Sequence, residues 1–220
     1  MTFPTDSEFF EVIKAKLYTP VIGDVLDAMG LTHQILPPNI RPLRPEMKLA
    51  GRAMPAVVSA VHGPQKKPFG FLTEALDQLE PGEVYLCPPV THNVALWGEI
   101  LTATSQGRGA VGAVVDGYYR DTHQVLARNF PLFGWGTYAQ DSSVRTVVAD
   151  YRVPVEIGGI RIAPGDLVVG DIDGVIVIPQ DVEAEVIEAA LAKASTENVV
   201  CDAIDAGMSA TEAFARFGVL

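Results

Sequence analysis

Three short, valine-rich apolar runs alternate with two stretches of helical periodicity in the first half of the chain. The apolar runs cover residues 56–61, 84–87 and 111–115, and the helical stretches cover 69–79 and 97–105. An apolar run of this length is typical of a strand buried on both faces, which occurs mainly in parallel sheets covered by helices. The alternation therefore predicts an α/β fold with some parallel strand pairing.

The second half of the chain is predicted to be rich in β-structure. Short apolar runs between glycine and proline turns predict strands at residues 145–149, 153–157, 160–162, 167–170 and 175–178. Helical patterns predict flanking helices at residues 6–17, 21–29, 181–194 and 210–217, the last with a capping box from Ser209 to Glu212. Because no linker or repeat interrupts the chain, residues 1–220 are expected to form one domain with a swivelled β/β/α architecture.

The composition argues against several classes of partner. A formal net charge of −11 disfavours nucleic acid or an anionic membrane, because both require a basic surface. The sequence has neither a signal-peptide pattern nor an apolar run near the roughly 20 residues of a membrane span. Two cysteines, Cys87 and Cys201, are too few for a disulfide framework. Both are expected to be buried thiols in a cytoplasmic protein.

An arginine and an aspartate follow the predicted strand at residues 111–115. Arg120 offers a planar fork of donors that matches a carboxylate, and the neighbouring Asp121 offers the oxygen ligands that Mg²⁺ or Mn²⁺ prefers. In open α/β sheets, ligands bind just beyond the carboxyl ends of strands, which is where these residues fall. The alternative is an ordinary surface ion pair at the start of a helix.

A glycine opens the predicted helix at residues 97–105. The first N–H groups of a helix have no intrahelical acceptor and carry partial positive charge, so Gly98, Glu99, Ile100 and Leu101 could bind an anion through their backbone. Glycine also lets a ligand approach closely. The alternative is an ordinary helix that packs Trp97, Ile100 and Leu101 into the core.

These motifs resemble the RraA-like superfamily, which has a phosphohistidine-domain-like fold and includes 4-hydroxy-4-methyl-2-oxoglutarate/4-carboxy-4-hydroxy-2-oxoadipate aldolases and the regulator of ribonuclease E activity. The resemblance covers nearly the whole chain. It rests on residues 95–101, 112–117, 120–121, 20–30, 164–171, 173–175 with Pro179, and the terminal Phe217-Gly218-Val219-Leu220.

The resemblance implies a role for each candidate site residue. Residues Gly98 to Leu101 would bind the substrate carboxylate, Arg120 would contact the 2-oxo acid, and Asp121 would hold Mg²⁺ or Mn²⁺ directly or through water. Catalytic members have an acidic residue three positions after the aspartate, where this chain has Gln124. Regulatory members generally lack the aspartate itself, so Asp121 favours the catalytic branch.

The resemblance also implies a homotrimer or a hexamer with sites at the subunit interfaces. Glu197 lies near the position where the aldolases place an acidic residue from a neighbouring subunit. The alternative for Glu197 is a solvated charge on a helix.

The expected function is a metal-dependent lyase that acts on a small 2-oxo acid, either as a pyruvate aldolase or as an oxaloacetate decarboxylase. A different reaction on an oxo- or hydroxy-acid and a non-catalytic regulator of the ribonuclease E inhibitor type remain open. The four histidines show no metal-ligand spacing, and the chain has no phosphate-binding loop, dinucleotide fingerprint or Ser-His-Asp arrangement.

Overall fold

A computed structural model of this protein describes residues 5–218, so Val219 and Leu220 of the C-terminal motif lie outside the described residues. The helices within that range are α1 Asp6–Lys16, α2 Thr19–Ala28, α3 Leu72–Asp77, α4 Glu99–Gly107, α5 Thr122–Ala127, α6 Glu183–Asp205 and α7 Ala210–Phe217. The strands are β1 Arg41–Pro42, β2 Leu49–Ala60, β3 Glu83–Cys87, β4 Ala95–Trp97, β5 Gly112–Val115, β6 Tyr118–Tyr119, β7 Leu132–Gly134, β8 Gly136–Thr137, β9 Thr146–Tyr151, β10 Val155–Ile157, β11 Ile160–Ile162, β12 Leu167–Asp171 and β13 Gly174–Ile178.

A mixed sheet organises the fold. Its strand order is β1-β7-β5-β3-β2-β12-β13, and β9 pairs with the second half of the long strand β2. The neighbours β2, β3, β5 and β7 run parallel to one another, whereas β1, β9, β12 and β13 pair in the antiparallel sense. The predicted α/β class and the predicted parallel pairing are therefore confirmed.

The central strands are buried on both faces. On β3, Tyr85 and Cys87 pack into one core cluster, whereas Val84 and Leu86 pack into another on the opposite face. This arrangement explains the continuous apolar runs, because alternate residues of a strand point to opposite faces and neither face meets water. Helices α3, α4 and α5 accompany the first of these clusters, and helices α1, α2 and α6 pack against β12 and β13.

The hairpin of β10 and β11 forms as predicted. Its strands pair from Val155 with Ile162 to Ile157 with Ile160, and its turn consists of Gly158 and Gly159. Both glycines have positive φ values, 58° and 81°, which side-chain-bearing residues rarely adopt. The hairpin covers one face of the central sheet with Val155, Ile157, Ile160 and Ile162.

Two predicted helices differ in length from those observed. The stretch at residues 69–79 is helical only from Leu72 to Asp77, because Phe69 and Gly70 have φ values of 64° and their backbones pair with Val148. The helix predicted at residues 181–194 begins at Glu183 and continues to Asp205, since its last turns pack against α7.

Cys201 corrects the prediction that both thiols are buried. Cys87 is buried in β3, but Cys201 is exposed on α6, one residue after the buried Val200. Among residues 5–218, no helix is both long enough and apolar enough to span a lipid bilayer.

Candidate functional site

A small second sheet brings the two predicted site segments together. Strands β4, β6 and β8 run parallel to one another, with Trp97 beside Tyr119 in the pairing of β4 and β6. Immediately beyond these strands, the N–H of Arg120 donates to the carbonyl oxygen of Trp97 at 2.9 Å. The residues that follow each strand, Gly98 on one and Arg120 with Asp121 on the other, therefore lie side by side.

Gly98 lies directly against the carboxylate of Asp121. A Cβ atom on Gly98 would be 2.7 Å from Asp121 Oδ2 and 3.4 Å from Arg120 Cγ. The φ of Gly98 is −167°, an extended value open to any residue, so glycine is required here by space and not by its backbone angle. The close packing lets the backbone N–H of Glu99 donate to Asp121 Oδ2 at 3.2 Å.

Asp121 directly precedes α5 but does not cap it with its side chain. Its backbone is left-handed, with φ of 55° and ψ of 38°, a conformation that aspartate tolerates better than most residues. The carboxylate turns toward Gly98 and α4, and Oδ1 has no hydrogen-bond partner within residues 5–218. This orientation leaves one carboxylate oxygen available to a ligand.

The N-terminus of α4 presents unpaired backbone donors beside this carboxylate. The first bond back toward Gly98 is the one from the N–H of Thr102 to the Gly98 carbonyl oxygen, at 3.0 Å. The N–H groups of Ile100 and Leu101 have no acceptor in the described part of the chain. The Ile100 side chain is 76% exposed, so the alternative prediction that Ile100 packs in the core is wrong.

Buried contacts hold the start of α4 in place. The indole N–H of Trp97 donates to Thr102 Oγ1 at 2.8 Å, and this hydroxyl donates to the Gly98 carbonyl oxygen at 3.0 Å. The Trp97 ring stacks on Phe130 with an angle of 4° between the ring planes. Trp97 and Thr102 are both fully buried, so the position of the helix start is fixed by the core.

Arg120 lies between two carboxylates. Its Nε is 3.7 Å from Asp121 Oδ2, and one of its terminal nitrogens is 3.3 Å from Asp141 Oδ1. Burial favours protonation of Asp141, but hydrogen bonds from Ser143 and the charge of Arg120 outweigh it and lower the pKa of this carboxyl. Asp141 was not among the predicted site residues. It lies in an irregular segment after β8, where no local pattern distinguishes it.

These groups line one cavity of about 330 Å³. Five of the predicted site residues contribute to it: Gly98, Ile100, Leu101, Arg120 and Asp121. The remaining lining residues are Phe69, Leu72, Thr73, Leu76, Asp77, Ala95, Leu96, Trp97, Thr104, Asp141 and Ser142. Glu99 does not line the cavity, since its side chain extends toward Arg128 with 3.8 Å between the charged atoms.

Glu197 and Gln124 lie away from this cavity within the chain. Glu197 on α6 accepts a hydrogen bond from the Tyr18 hydroxyl and pairs with Lys193 Nζ at 3.2 Å. The bond to Glu197, with burial, raises the pKa of Tyr18 to about 12. Gln124 is an exposed residue of α5 whose N–H donates to the Asp121 carbonyl oxygen at 3.0 Å. A role for Glu197 in a neighbouring subunit's site therefore stays a prediction.

The carboxylate oxygens in the cavity suit a hard cation that takes only a few of its ligands from the protein. Among residues 5–218, no three or more histidine, cysteine, aspartate or glutamate side chains gather as a metal cage. Mg²⁺ is commonly held by one or two carboxylates, with water and substrate oxygens completing its coordination. Asp121, which lines the cavity and has one carboxylate oxygen unpaired within residues 5–218, fits that mode. A zinc or copper site would need nitrogen or sulfur ligands, whereas Mn²⁺ accepts oxygen ligands as Mg²⁺ does.

Comparison with proteins of known sequence gives relatives that cover most of the chain. A protein of Halalkalibacterium halodurans named "Putative 4-hydroxy-4-methyl-2-oxoglutarate aldolase" is 33% identical over 197 residues, which is 89% of each chain. Protein DlpA of Legionella pneumophila is 32% identical over 198 residues and 87% of this chain. This chain spans only 31% of the length of DlpA.

Comparison with solved structures identifies the fold. A protein of Pseudomonas syringae described as uncharacterized is 31% identical, with a TM-score of 0.81 over 96% of this chain and 99% of its own. RraAS2 of Streptomyces coelicolor, described as an unusual member of the RNase ES inhibitor RraA protein family, is 26% identical. Its TM-score is 0.76 over 87% of this chain and 96% of its own.

A family model described as RraA-like, Aldolase/RraA, matches residues 19–177. This range includes the mixed sheet except for the last residue of β13, the small sheet that places Arg120 beside Gly98, and every residue that lines the cavity. The protein belongs to the RraA-like family.

Proposed function

We propose that this protein is a divalent-metal-dependent lyase that cleaves a carbon–carbon bond of a small 2-oxo acid. The observation that carries the proposal is the meeting of Arg120, Asp121 and the unpaired N–H groups of α4 in one cavity. The aldolase name of the H. halodurans relative supports the reaction class. The two candidate reactions are retro-aldol cleavage of the 4-hydroxy-4-methyl-2-oxoglutarate type and decarboxylation of oxaloacetate.

The residues divide the recognition of a 2-oxo acid between them. The N–H groups of Ile100 and Leu101 suit the C1 carboxylate, because a helix N-terminus combines free donors with partial positive charge. The guanidinium of Arg120, which pairs with Asp121 and Asp141, would donate to the keto oxygen. Substrate binding thus uses a fixed helix terminus and a fixed cation.

Both reactions generate negative charge in the same place. When the C3–C4 bond breaks, its electron pair moves onto C3 and is delocalised onto the keto oxygen, where the donors of Arg120 stabilise it. Mg²⁺ or Mn²⁺, which Asp121 would hold, would supply further electrostatic stabilisation of that oxygen. Delivery of one proton to C3 then completes pyruvate.

The two reactions differ in their need for a base. Retro-aldol cleavage must also remove the proton of the C4 hydroxyl, whereas decarboxylation has no such step. The acidic residue that catalytic relatives carry three positions after the aspartate is replaced by Gln124. We therefore expect faster decarboxylation of oxaloacetate than cleavage of 4-hydroxy-4-methyl-2-oxoglutarate, as measured by kcat with the two substrates. Equally low kcat values for oxaloacetate and for 4-hydroxy-4-methyl-2-oxoglutarate would contradict this expectation.

The central test is pyruvate release from oxaloacetate, followed with lactate dehydrogenase and NADH. Turnover above that of Mg²⁺ without protein should disappear with EDTA and fall by about 100-fold or more in Asp121→Asn, as expected for loss of a preorganised charge. The matched control is Asp27→Asn, an exposed carboxylate on α2. Unchanged turnover in Asp121→Asn would reject the assigned site.

A second candidate function is non-catalytic binding to a ribonuclease. It is favoured by the fold shared with RraAS2, whose description names an RNase ES inhibitor family. Such a role would not require Asp121. This alternative would be favoured over the lyase by two results together. A ribonuclease E-type enzyme would bind the wild-type protein and Asp121→Asn equally strongly, and neither protein would show metal-dependent turnover.

We also propose that the protein assembles as a homotrimer or a hexamer, with Glu197 facing a neighbouring subunit's cavity. Support comes from the family to which the chain belongs and from the position of Glu197 outside its own chain's cavity. Partner nucleic acids and membranes are not part of this proposal, because the net charge of −11 disfavours both.

A further inference from the structure

We infer that the cavity selects 2-oxo acids whose far end is uncharged and apolar. This inference rests on the proposed lyase function and names its substrate class: 4-hydroxy-2-oxo monocarboxylates with an alkyl or aryl substituent on C4. It distinguishes this chain from an aldolase whose preferred 4-hydroxy-2-oxo substrate carries a carboxylate beyond C4, and it does not concern the C4 carboxylate that oxaloacetate loses as carbon dioxide.

The first observation is the apolar part of the cavity lining. Phe69, Leu72, Leu76, Leu96 and Leu101 contribute to it from the turn before α3, from α3 itself, from β4 and from α4. Arg120, Asp121 and the start of α4 form the polar part that fits the 2-oxo acid. A substituent that covers the apolar residues gains binding energy by leaving water, which a charged group would not.

The second observation is the balance of charge in the lining. Among the described residues, Arg120 is the single cationic side chain that lines the cavity, against the three carboxylates Asp77, Asp121 and Asp141. Arg120 already pairs with the last two, and Asp77 pairs at 2.9 Å with Arg108, which lies outside the lining. A carboxylate beyond C4 of the substrate would find no cation of its own in this chain and would meet repulsion from these aspartates. Glu197, the residue proposed for the neighbouring subunit, would add negative charge to the same cavity.

The third observation is the strained backbone of Phe69. Its φ is 64°, an uncommon and costly value for a bulky residue. The conformation is held because Val148 N–H donates to the Phe69 carbonyl oxygen at 3.0 Å and Phe71 N–H donates to the Val148 carbonyl oxygen at 2.8 Å. Phe69 is 37% exposed in spite of this constraint and lines the cavity. Phe69 is therefore the specificity-determining residue on the apolar side.

A suitable test substrate is 4-hydroxy-4-methyl-2-oxohexanoate. It matches 4-hydroxy-4-methyl-2-oxoglutarate except that an ethyl group replaces the distal carboxylate. In its cleavage the C3–C4 bond breaks and the C4 hydroxyl loses its proton to become the carbonyl of butanone. The electron pair goes to C3, which takes up one proton to give pyruvate. The reaction therefore needs neither an oxidant nor a reductant.

The first experiment compares kcat/KM for these two substrates with the Mg²⁺-loaded protein. We expect the hexanoate to exceed the oxoglutarate by about tenfold, the effect of roughly two buried methylene groups. An equal value for the two, or a preference for the oxoglutarate, would overturn the inference.

The second experiment uses two phenylalanines of the same turn. Phe69→Ala should lower kcat/KM for the hexanoate by roughly tenfold, mainly through KM, and should lower kcat/KM for the oxoglutarate by a much smaller factor, because a carboxylate gains little from contact with the ring. Phe71→Ala is the matched control, because Phe71 is 44% exposed but packs near Tyr151 and Lys67 outside the cavity lining. Equal effects of the two variants would contradict the role of Phe69.

A third variant adds the missing cation without disturbing the core. Thr73 is an exposed residue of α3 that lines the cavity. Thr73→Lys should shift the kcat/KM ratio toward the oxoglutarate, and a ratio unchanged from the wild type would count against the charge argument.

Equilibrium binding separates failure of the inference from failure of the proposed function. Calorimetric titration with 2-oxohexanoate and 2-oxoglutarate, neither of which can undergo the retro-aldol step, should give about tenfold tighter binding of 2-oxohexanoate. Turnover of oxaloacetate combined with equal binding of the two acids would overturn the inference and leave the lyase standing. Tighter binding of 2-oxohexanoate without turnover of any substrate would overturn the lyase and leave the apolar selectivity of the cavity standing.

Discussion

Gly98 shows how a side chain distant in sequence can restrict the residue type at the position against which it packs. Its extended backbone would accept any residue, but the carboxylate of Asp121 occupies the space that a Cβ atom needs, with 2.7 Å to Oδ2. The sequence predicted a glycine at a helix start for close approach of a ligand. In the structure, the group that approaches Gly98 closely is the carboxylate of Asp121, the residue proposed to hold the metal.

Replacement of Gly98 by alanine tests this packing. Gly98→Ala should displace Asp121 and lower metal-dependent pyruvate release by about 10-fold or more, the scale on which misplacement of a catalytic group is felt. Gly107→Ala is the control at the other end of α4, since a Cβ there has no atom within 4 Å. It should keep full activity and raise the free energy of unfolding by up to about 1 kcal/mol. Equal activity of the two variants would show that Asp121 does not depend on Gly98.

The two cysteines should differ in reactivity. Burial raises the pKa of the Cys87 thiol, with a further contribution from Asp116, whereas Cys201 is exposed on α6. A thiol-specific reagent such as dithionitrobenzoate should therefore label one thiol of the folded protein rapidly and the second only after denaturation. Mass spectrometry of the labelled peptides should identify Cys201 as the fast site. Rapid labelling of Cys87 in the folded protein would contradict its burial.

At the scale of elements, α4 owes its position to two buried hydrogen bonds. The hydroxyl of Thr102 accepts from the Trp97 indole and donates to the Gly98 carbonyl oxygen. Thr102→Val keeps the shape but leaves the indole N–H unpaired in the core. The free energy of unfolding should fall by about 1–3 kcal/mol, the cost of an unsatisfied buried donor.

The control for that prediction lies on the same helix. Thr104 is only partly buried and donates to the Ile100 carbonyl oxygen in a solvent-exposed hydrogen bond, so Thr104→Val should change the free energy of unfolding by less than about 0.5 kcal/mol. Urea denaturation of both variants gives the comparison. Equal destabilisation would show that the buried hydroxyl of Thr102 has no special role.

The elements that the sequence predicted well are those with strong local signals. The last helix begins after Ser209 with the predicted capping box, because the Ser209 and Glu212 side chains each satisfy a backbone donor of the other. Strands β4, β6 and β8 were not predicted. They have only two or three residues each and are stabilised by partners far away in sequence, so they have no periodicity of their own.

At the scale of the whole molecule, stability should fall in acid. Hydrogen bonds from Arg52, Lys67 and Ser209 lower the pKa values of Asp6, Glu74 and Glu212, respectively. The unfolded chain therefore binds more protons than the folded chain once the pH approaches the ordinary values of 3.8 for aspartate and 4.5 for glutamate.

These pKa values predict a urea midpoint that is nearly constant from about pH 7 to about pH 5.5 and falls progressively below about pH 5. Asp116 acts in the opposite sense, because burial raises its pKa more than the hydrogen bond from Trp135 lowers it. This carboxyl therefore offsets part of the stability that is lost in acid. Urea denaturation monitored by tryptophan fluorescence across this pH range provides the measurement. A midpoint that rises on acidification would show that groups like Asp116 dominate.

The proposed assembly makes a prediction at the same scale. Light scattering after size-exclusion chromatography should give three or six times the mass of the chain. Glu197→Gln should then lower turnover without changing that mass, because Gln can still accept a hydrogen bond from the Tyr18 hydroxyl. A monomer with full turnover would refute both the assembly and the role of Glu197.

The sequence by itself determined the α/β class, the parallel strands at its centre, and the presence of a helix-opening glycine and of an Arg-Asp motif that follows a strand. These features follow from short-range periodicity and from residue chemistry, which are written locally in the chain. Only the tertiary structure decided that Asp141 faces Arg120, that Phe69 lines the cavity and that Glu197 and Gln124 lie away from it. Those placements depend on the pairing of β4 with β6 and of Phe69 with Val148, contacts between residues distant in sequence that no local pattern records.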